Sequence, residues 1–177
     1  MDVWGFNQYT VAQVLGFIAF FFSIAAFATT KDKRFRVFLT VACLLLALQY
    51  GLLFAYVAAA NLVINAFRAL WSINHSGHKW FWAFFITQSI ISVIVYKSPI
   101  DLLPWFASAI SCYALFFLSG IQLRIAMLLC TVVWLINSSL VGSYGAIFND
   151  VFNITVTLST IYRLKLAKSN NAASSSP

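Results

Sequence analysis

The fold class this sequence predicts is an all-α polytopic membrane protein: seven transmembrane helices, arranged 3+1+3, with two parallel three-helix repeats. Three observations predict it. First, the 177 residues are 62% hydrophobic and only 8% charged, whereas a soluble domain carries roughly 25% charged residues, so the chain has too little polar surface to face water. Second, the sequence aligns with itself without a gap at an offset of 88 residues. Third, its basic residues gather at alternate ends of successive apolar segments, which is a signature of membrane topology and not of a nucleic-acid-binding stripe.

The elements follow in order. Helix one covers 11–28 after a polar start at 7–10, and it stops at Thr29 and Thr30 ahead of the basic cluster Lys31, Lys33, Arg34 and Arg36. Helix two, 37–55, and helix three, 58–74, are joined so tightly that they must lie antiparallel and adjacent. The segment 74–79 is a polar turn, with Gly77 as the helix stop. Helix four, 80–96, ends before Lys97, Ser98 and Pro99. Helix five, 102–119, tolerates Pro104 in its first turn, where the backbone N–H has no intrahelical partner. A turn around Ser119, Gly120 and Gln122 leads into helix six, 123–140. A second tight turn at 141–145 leads into helix seven, 146–164. From Lys165 the chain becomes polar, and 170–177 reads as a disordered tail. The domain is therefore a single transmembrane unit, 1–169, made of repeat one (11–74), a linker helix (80–96) and repeat two (99–164).

At the offset of 88, Arg36, Tyr56, Ala58, Asn61 and Asn65 fall on Arg124, Tyr144, Ala146, Asn149 and Asn153, while Leu15, Ala19, Ser23 and Ala26 fall on Leu103, Ala107, Ser111 and Ala114. A unit of three helices crosses the membrane an odd number of times. One intervening helix makes the two units parallel, related by an axis along the membrane normal. Of the Lys and Arg residues, all but Lys97 fall on one side, whereas Asp2, Asp101 and Asp150 lie on or near the other. The positive-inside rule then places the N-terminus outside the cytoplasm and the C-terminus within it.

Candidate site residues come from the polar positions inside these apolar segments. Buried amides cost several kcal/mol (roughly 2 to 7) without partners, so Asn61, Asn65, Asn149 and Asn153 must face protein or a water-filled cavity. Gln49 pairs by offset with Asn137, and Trp134 adds a flat stacking face. Amides both donate and accept, so these seven residues form a substrate-binding set suited to a neutral polar solute. The alternative is that the asparagines hydrogen-bond across helices to fix the bundle. Asp150 is the candidate for proton or ion coupling, with a helix N-terminal or interface role as its alternative. Arg68 reads as a snorkelling residue. Cys43, Cys112 and Cys130 lie within apolar stretches as packing residues, and His75 and His78 lack a third ligand, so no metal or cofactor is expected. No paired nucleophile and base is visible, so the chain is not expected to be an enzyme.

The segments VAQVLGFIAFFFSIAAFATTKDKRFRVF, LLALQYGLLFAYVAAANLVINAFRALWSI and WLINSSLVGSYGAIFNDVFNI resemble the YgjV-type bacterial inner membrane protein family, over residues 11–164. The resemblance implies an inner-membrane location and carries no established activity. In helix count the chain also resembles the SWEET and semi-SWEET sugar transporters and the nicotinamide riboside-type transporters, which are built as three-helix repeats. The resemblance to SWEET proteins implies solute contact at Asn61 and Asn149. Prolines found in the first two helices of each SWEET repeat are absent from helices one and two, and only Pro104 stands near such a position.

The expected function is a transporter or facilitator of a small neutral polar solute; the alternative is a structural or accessory membrane protein without a transport path. The expected partners are the lipid bilayer, a small polar solute and, as an open alternative, further copies of the same chain, with no nucleic acid among them. A reporter enzyme active only in the periplasm, fused to the C-terminus, should remain inactive. Activity of that fusion would overturn the orientation or the helix count.

Overall fold

The computed structural model describes residues 8–52, 56–96, 99, 102–141 and 144–174. They form seven helices and no strand: α1 (Gln8–Ala28), α2 (Asp32–Leu52), α3 (Tyr56–Trp71), α4 (His78–Val95), α5 (Leu102–Phe117), α6 (Gly120–Val141) and α7 (Tyr144–Ser174). Asp2, Lys97 and Asp101, which entered the orientation argument, lie outside the described residues, as do turn residues 142–143 and tail residues 175–177. The chain is an all-α polytopic membrane protein. Among the described residues, three stretches are long and apolar enough to cross a membrane by length and composition alone: Thr10–Ala28, Asp32–Leu52 and Gly120–Asn137.

Several boundaries differ from the sequence expectation; α6, for one, begins at Gly120 inside the expected turn, not at 123. α2 begins at Asp32, not at 37. A carboxylate in the first turn favours the helix N-terminus electrostatically, and Lys33 and Arg34 stay exposed, so the charges do not have to end the helix. Gly77 does not stop helix three. α3 ends at Trp71, and Gly77, with φ of 105°, is the N-cap of α4; a side chain there would be strained, which is why a glycine holds the position. α7 continues to Ser174, so residues 170–174, read from composition as disordered tail, are helical. Extending an established helix fixes one residue per added hydrogen bond and avoids the cost of a new nucleus.

The packing is that of a membrane bundle, with small residues inside and large ones outside. Ala12, Ala19 and Ala26 of α1 and Ala107 and Ala114 of α5 are all fully buried, while Phe17 is 66% exposed and Val93 and Ile94 are 76% exposed. Lipid is as apolar as leucine, so helices gain little by hiding large side chains and much by letting backbones approach. The stripe Ala19, Ser23, Ala26 and its counterpart Ala107, Ser111, Ala114 are buried alike. Gly16 makes the tightest approach: a Cβ there would come within 2.5 Å of the Gln49 amide on α2.

These contacts arrange the helices in a definite order. α2 lies between α1 and α3, and α6 between α5 and α7. α1 packs on α7 and α3 approaches α5, forming two seams between the halves. α4 is fastened to the outside of α5 by aromatic pairs, Phe84 with Phe116 at 5.7 Å and Phe85 with Trp105 at 6.0 Å, and by the Trp105 indole N–H donating to Ser89 Oγ at 3.1 Å. The apolar core, with Ala26, Phe27, Phe35, Leu115, Leu123 and Met127, joins α1, α2, α5 and α6.

Ala107→Leu should therefore lower stability by about 1 to 3 kcal/mol through overpacking. Phe17→Ala, on the lipid face, should leave it within about 0.5 kcal/mol. Thermal unfolding of the purified variants in one detergent compares them directly, and equal losses would contradict the inside-small, outside-large packing.

Candidate functional site

The polar side chains of this apolar chain gather in three places, and each joins one half of the bundle to the other. The first is the seam between α1 and α7. There the Asn153 amide N–H donates to Ser23 Oγ at 3.1 Å, and the Ser23 hydroxyl lies 3.4 Å from Asn153 Oδ1. Further along α7, the Thr160 hydroxyl donates to the Phe27 carbonyl of α1 at 2.8 Å. Both side chains of the first pair are buried. With no water to satisfy them in the hydrocarbon layer, they satisfy each other.

The second place is the seam between α3 and α5, and a guanidinium occupies it. Arg68 Nη2 donates to Asn65 Oδ1 at 2.8 Å and to Ser111 Oγ at 2.6 Å. Its Nη1 donates to Gln88 Oε1 at 2.6 Å and to the Ser108 carbonyl at 3.2 Å. The Ser108 hydroxyl lies 3.4 Å from Asn65 Oδ1, closing the ring. Arg68 is 2% exposed, which corrects the snorkelling expectation: the guanidinium does not reach the interface but is enclosed by α3, α5 and Gln88 of α4.

The third place lies where the N-termini of α2 and α6 meet. Asp32 accepts from the Gly120 backbone N–H at 2.6 Å and from Arg124 Nη2 at 3.2 Å. The Arg124 guanidinium also stands 4.1 Å above the Phe35 ring, a cation–π contact within a site where Arg124 is fully buried. Arg36 donates to the Ser72 carbonyl at the end of α3 and to the Leu118 carbonyl just after α5, the latter at 3.5 Å. Beside this cluster is a cavity of about 350 Å³ lined by Asp32, Lys33, Arg36, Ile73, Asn74 and Ser119.

The residues expected from sequence fall into two groups. Asn65 and Asn153 are drawn into the two seams. Asn61 and Asn149, one turn further along the same faces of α3 and α7, are half-buried, as are Asn137 and Trp134 on α6. Gln49 lies against Gly16 of α1. Asp150 is buried, within electrostatic reach of Tyr50 and Cys130. Sequence reasoning missed Ser108 and Gln88 altogether and misread Arg68. The available signal was Ser111, which repeats Ser23 at the offset of 88.

Residues 10–168 match the family Imp-YgjV, described as bacterial inner membrane protein. The chain belongs to this family. It is 32% identical over 140 residues to the inner membrane protein YgjV of Escherichia coli (strain K12), covering 78% of this chain and 76% of that one. No solved structure matches the chain. Family membership fixes the location, the bacterial inner membrane, and leaves the activity to be argued from the polar contacts.

Removing the partner of a fully buried cation is the severest test of these contacts. Asp32→Ala should destabilise the protein by about 3 kcal/mol, because it strands Arg124. Asp32→Ala combined with Arg124→Leu should recover much of that loss. Unfolding midpoints of the two variants and the wild type check it, and a double variant no better than the single one would contradict the pairing.

Proposed function

We propose that this protein is a transporter or facilitator of a small polar solute, built from two parallel three-helix units, 11–74 and 99–164, that move against each other across the two seams. The observation that carries this reading is the identity of the residues meeting at those seams. Ser23 meets Asn153 on one side, and on the other Ser111 and Asn65 are bridged by Arg68. Under the offset of 88, Ser23 becomes Ser111 and Asn65 becomes Asn153, so one pairing is repeated across a pseudo-two-fold axis. The contact of Asp32 with Gly120, itself 88 residues apart, supports an axis passing near the N-termini of α2 and α6. Parallel repeats about an axis along the membrane normal suit a solute path between them.

On this reading Asn65 and Asn153, already engaged, hold the seams. Asn61 and Asn149, with Asn137 and Trp134 of α6, are assigned the solute's hydroxyl or amide groups. Gln49 supports α1 against α2, and Asp150 is the coupling group. The SWEET-like layout of a solute-contacting asparagine on the third helix of each unit fits Asn61 and Asn149. With the N-terminus outside, the Asp32, Arg36 and Arg124 cluster closes the cytoplasmic side. The chain acts without chemistry on its solute. The competing reading, an accessory membrane protein, draws on the same seams, since the engaged Ser23–Asn153 pair also serves as a permanent fastening.

Removal of one amide separates the two. Purified protein screened by thermal shift against sugars, nucleosides and vitamin precursors should show stabilisation by at least one, since binding to the folded state raises its stability. Asn149→Ala should abolish that shift while leaving the ligand-free melting temperature nearly unchanged. A fall in the ligand-free melting temperature with the ligand shift intact would assign Asn149 to the structure and overturn the transport reading.

A further inference from the structure

Three guanidiniums lie within this bundle, and their surroundings differ in one respect. Arg124 is paired with the Asp32 carboxylate, and Arg36 stands within electrostatic reach of the same group. Among the described residues, Arg68 makes no ion pair with a carboxylate. Its guanidinium hydrogen bonds go to neutral acceptors, the Gln88 and Asn65 amide oxygens, the Ser111 hydroxyl and the Ser108 carbonyl, with the Cys112 thiol alongside. Arginine stays charged in proteins, and neutral acceptors satisfy its N–H groups without neutralising it. A guanidinium carries five N–H donors, and the fifth, on Nε, is buried with no hydrogen-bond partner, as it is on Arg36 and Arg124. An ionisable group held this way inside a membrane helix marks a functional site by default.

We propose that Arg68 is the anchor of a carboxylate-binding site, and that the carboxylate belongs to the solute. The second half rests on the transport reading above; the first does not. Arg–carboxylate pairs are frequently bidentate, through two parallel N–H groups. On Arg68 the side-on edge is Nε and Nη2. Nε is unpartnered, and Nη2 holds Asn65 Oδ1 and Ser111 Oγ. Both of those partners can change role. A carboxylate arriving on this edge displaces two acceptors, and the Asn65 amide can then present its NH₂ group and the Ser111 hydroxyl its O–H to the incoming oxygens. Asn65 is the half-buried member of the ring, so the approach is from its side, and Asn61 stands one turn away on the same face of α3. Gln88 and the Ser108 carbonyl remain on Nη1 and hold the guanidinium in plane. A solute with a carboxylate at one end and hydroxyl or amide groups at the other would span Arg68 and the asparagine level. The amide lining alone suggested a neutral solute, and the buried cation changes that to an anionic one.

The symmetry argument points the same way. The residue 88 positions beyond Arg68 is Val156, and at the corresponding seam Ser23 and Asn153 bond directly. A fastening between the halves therefore needs no arginine. The charge at the α3–α5 seam does something that the α1–α7 seam accomplishes without one.

Sodium acetate is the simplest probe, compared with sodium chloride at the same ionic strength and with acetamide at the same concentration, on the full chain in detergent. Acetate should raise the melting temperature of the wild type beyond chloride, and acetamide should not. Arg68→Gln should remain folded and lose the acetate shift. Arg68→Lys, which keeps the charge but not the fork, should weaken acetate binding about tenfold. If Arg68→Gln fails to fold, Ser111→Ala takes its place and should reduce the shift. An acetate shift absent from the wild type, or preserved in Arg68→Gln, overturns the site. Uptake into proteoliposomes separates this from the transport reading. Uptake of a neutral solute with no acetate effect sinks the Arg68 site alone, while an Arg68-dependent acetate shift without uptake of any carboxylate or neutral solute sinks transport alone.

Discussion

Within hydrocarbon there is no water to satisfy a polar group, and this constraint shapes the protein more than any apolar contact does. Every asparagine, serine and arginine placed in a membrane helix must find a partner, on its own helix or another, or lie against a cavity. The chain meets the constraint by concentrating those groups where its halves touch. Ser23 and Asn153 satisfy each other, Arg68 collects four acceptors from three helices, and Asp32 holds both a helix N-terminus and the Arg124 guanidinium. Polar contacts therefore decide which helix lies beside which. The alanine stripes then set how close the helices come.

The same constraint explains what was legible in the sequence. Helix number and type follow from local properties, apolar length and the breaks between segments, and all seven helices occur where those properties place them. The buried stripe of Ala19, Ser23 and Ala26 was visible because it recurs at Ala107, Ser111 and Ala114. Helix ends were less legible. Charges at Lys33, Arg34 and Arg36 look like a loop, yet Lys33 and Arg34 stay exposed and Arg36 donates to the Ser72 and Leu118 carbonyls, so α2 absorbs them. Arg68 is the converse case. From its position near the end of α3 it looks able to escape to the interface, and only the tertiary placement of Gln88 and Ser108 shows what encloses it. Neither of those residues belongs to a repeated pattern, so periodicity and self-comparison could not reveal them.

Helix four has a clearer role in the fold than as a spacer that sets the parity of the crossings. Its outward face is largely exposed, and its aromatic residues fasten it to α5. Its Gln88 turns inward and supplies an acceptor to Arg68. On the proposed repeat, the element without a counterpart in either unit thus contributes directly to the feature that distinguishes the two seams.

The contact between Asp32 and Gly120 bears on ancestry. On the proposed repeat these two residues are equivalent positions, one in each unit, meeting near the axis that relates them. Two identical unfused units would bring either two aspartates or two glycines together there, giving like-charge repulsion in the first case and no carboxylate for Arg124 in the second. On that proposed repeat, an acid on one side and a backbone N–H with φ of +56° on the other require both halves to be encoded in one chain and free to differ. Such a protein could not be returned to a symmetric pair of half-length chains without rebuilding that end of the bundle.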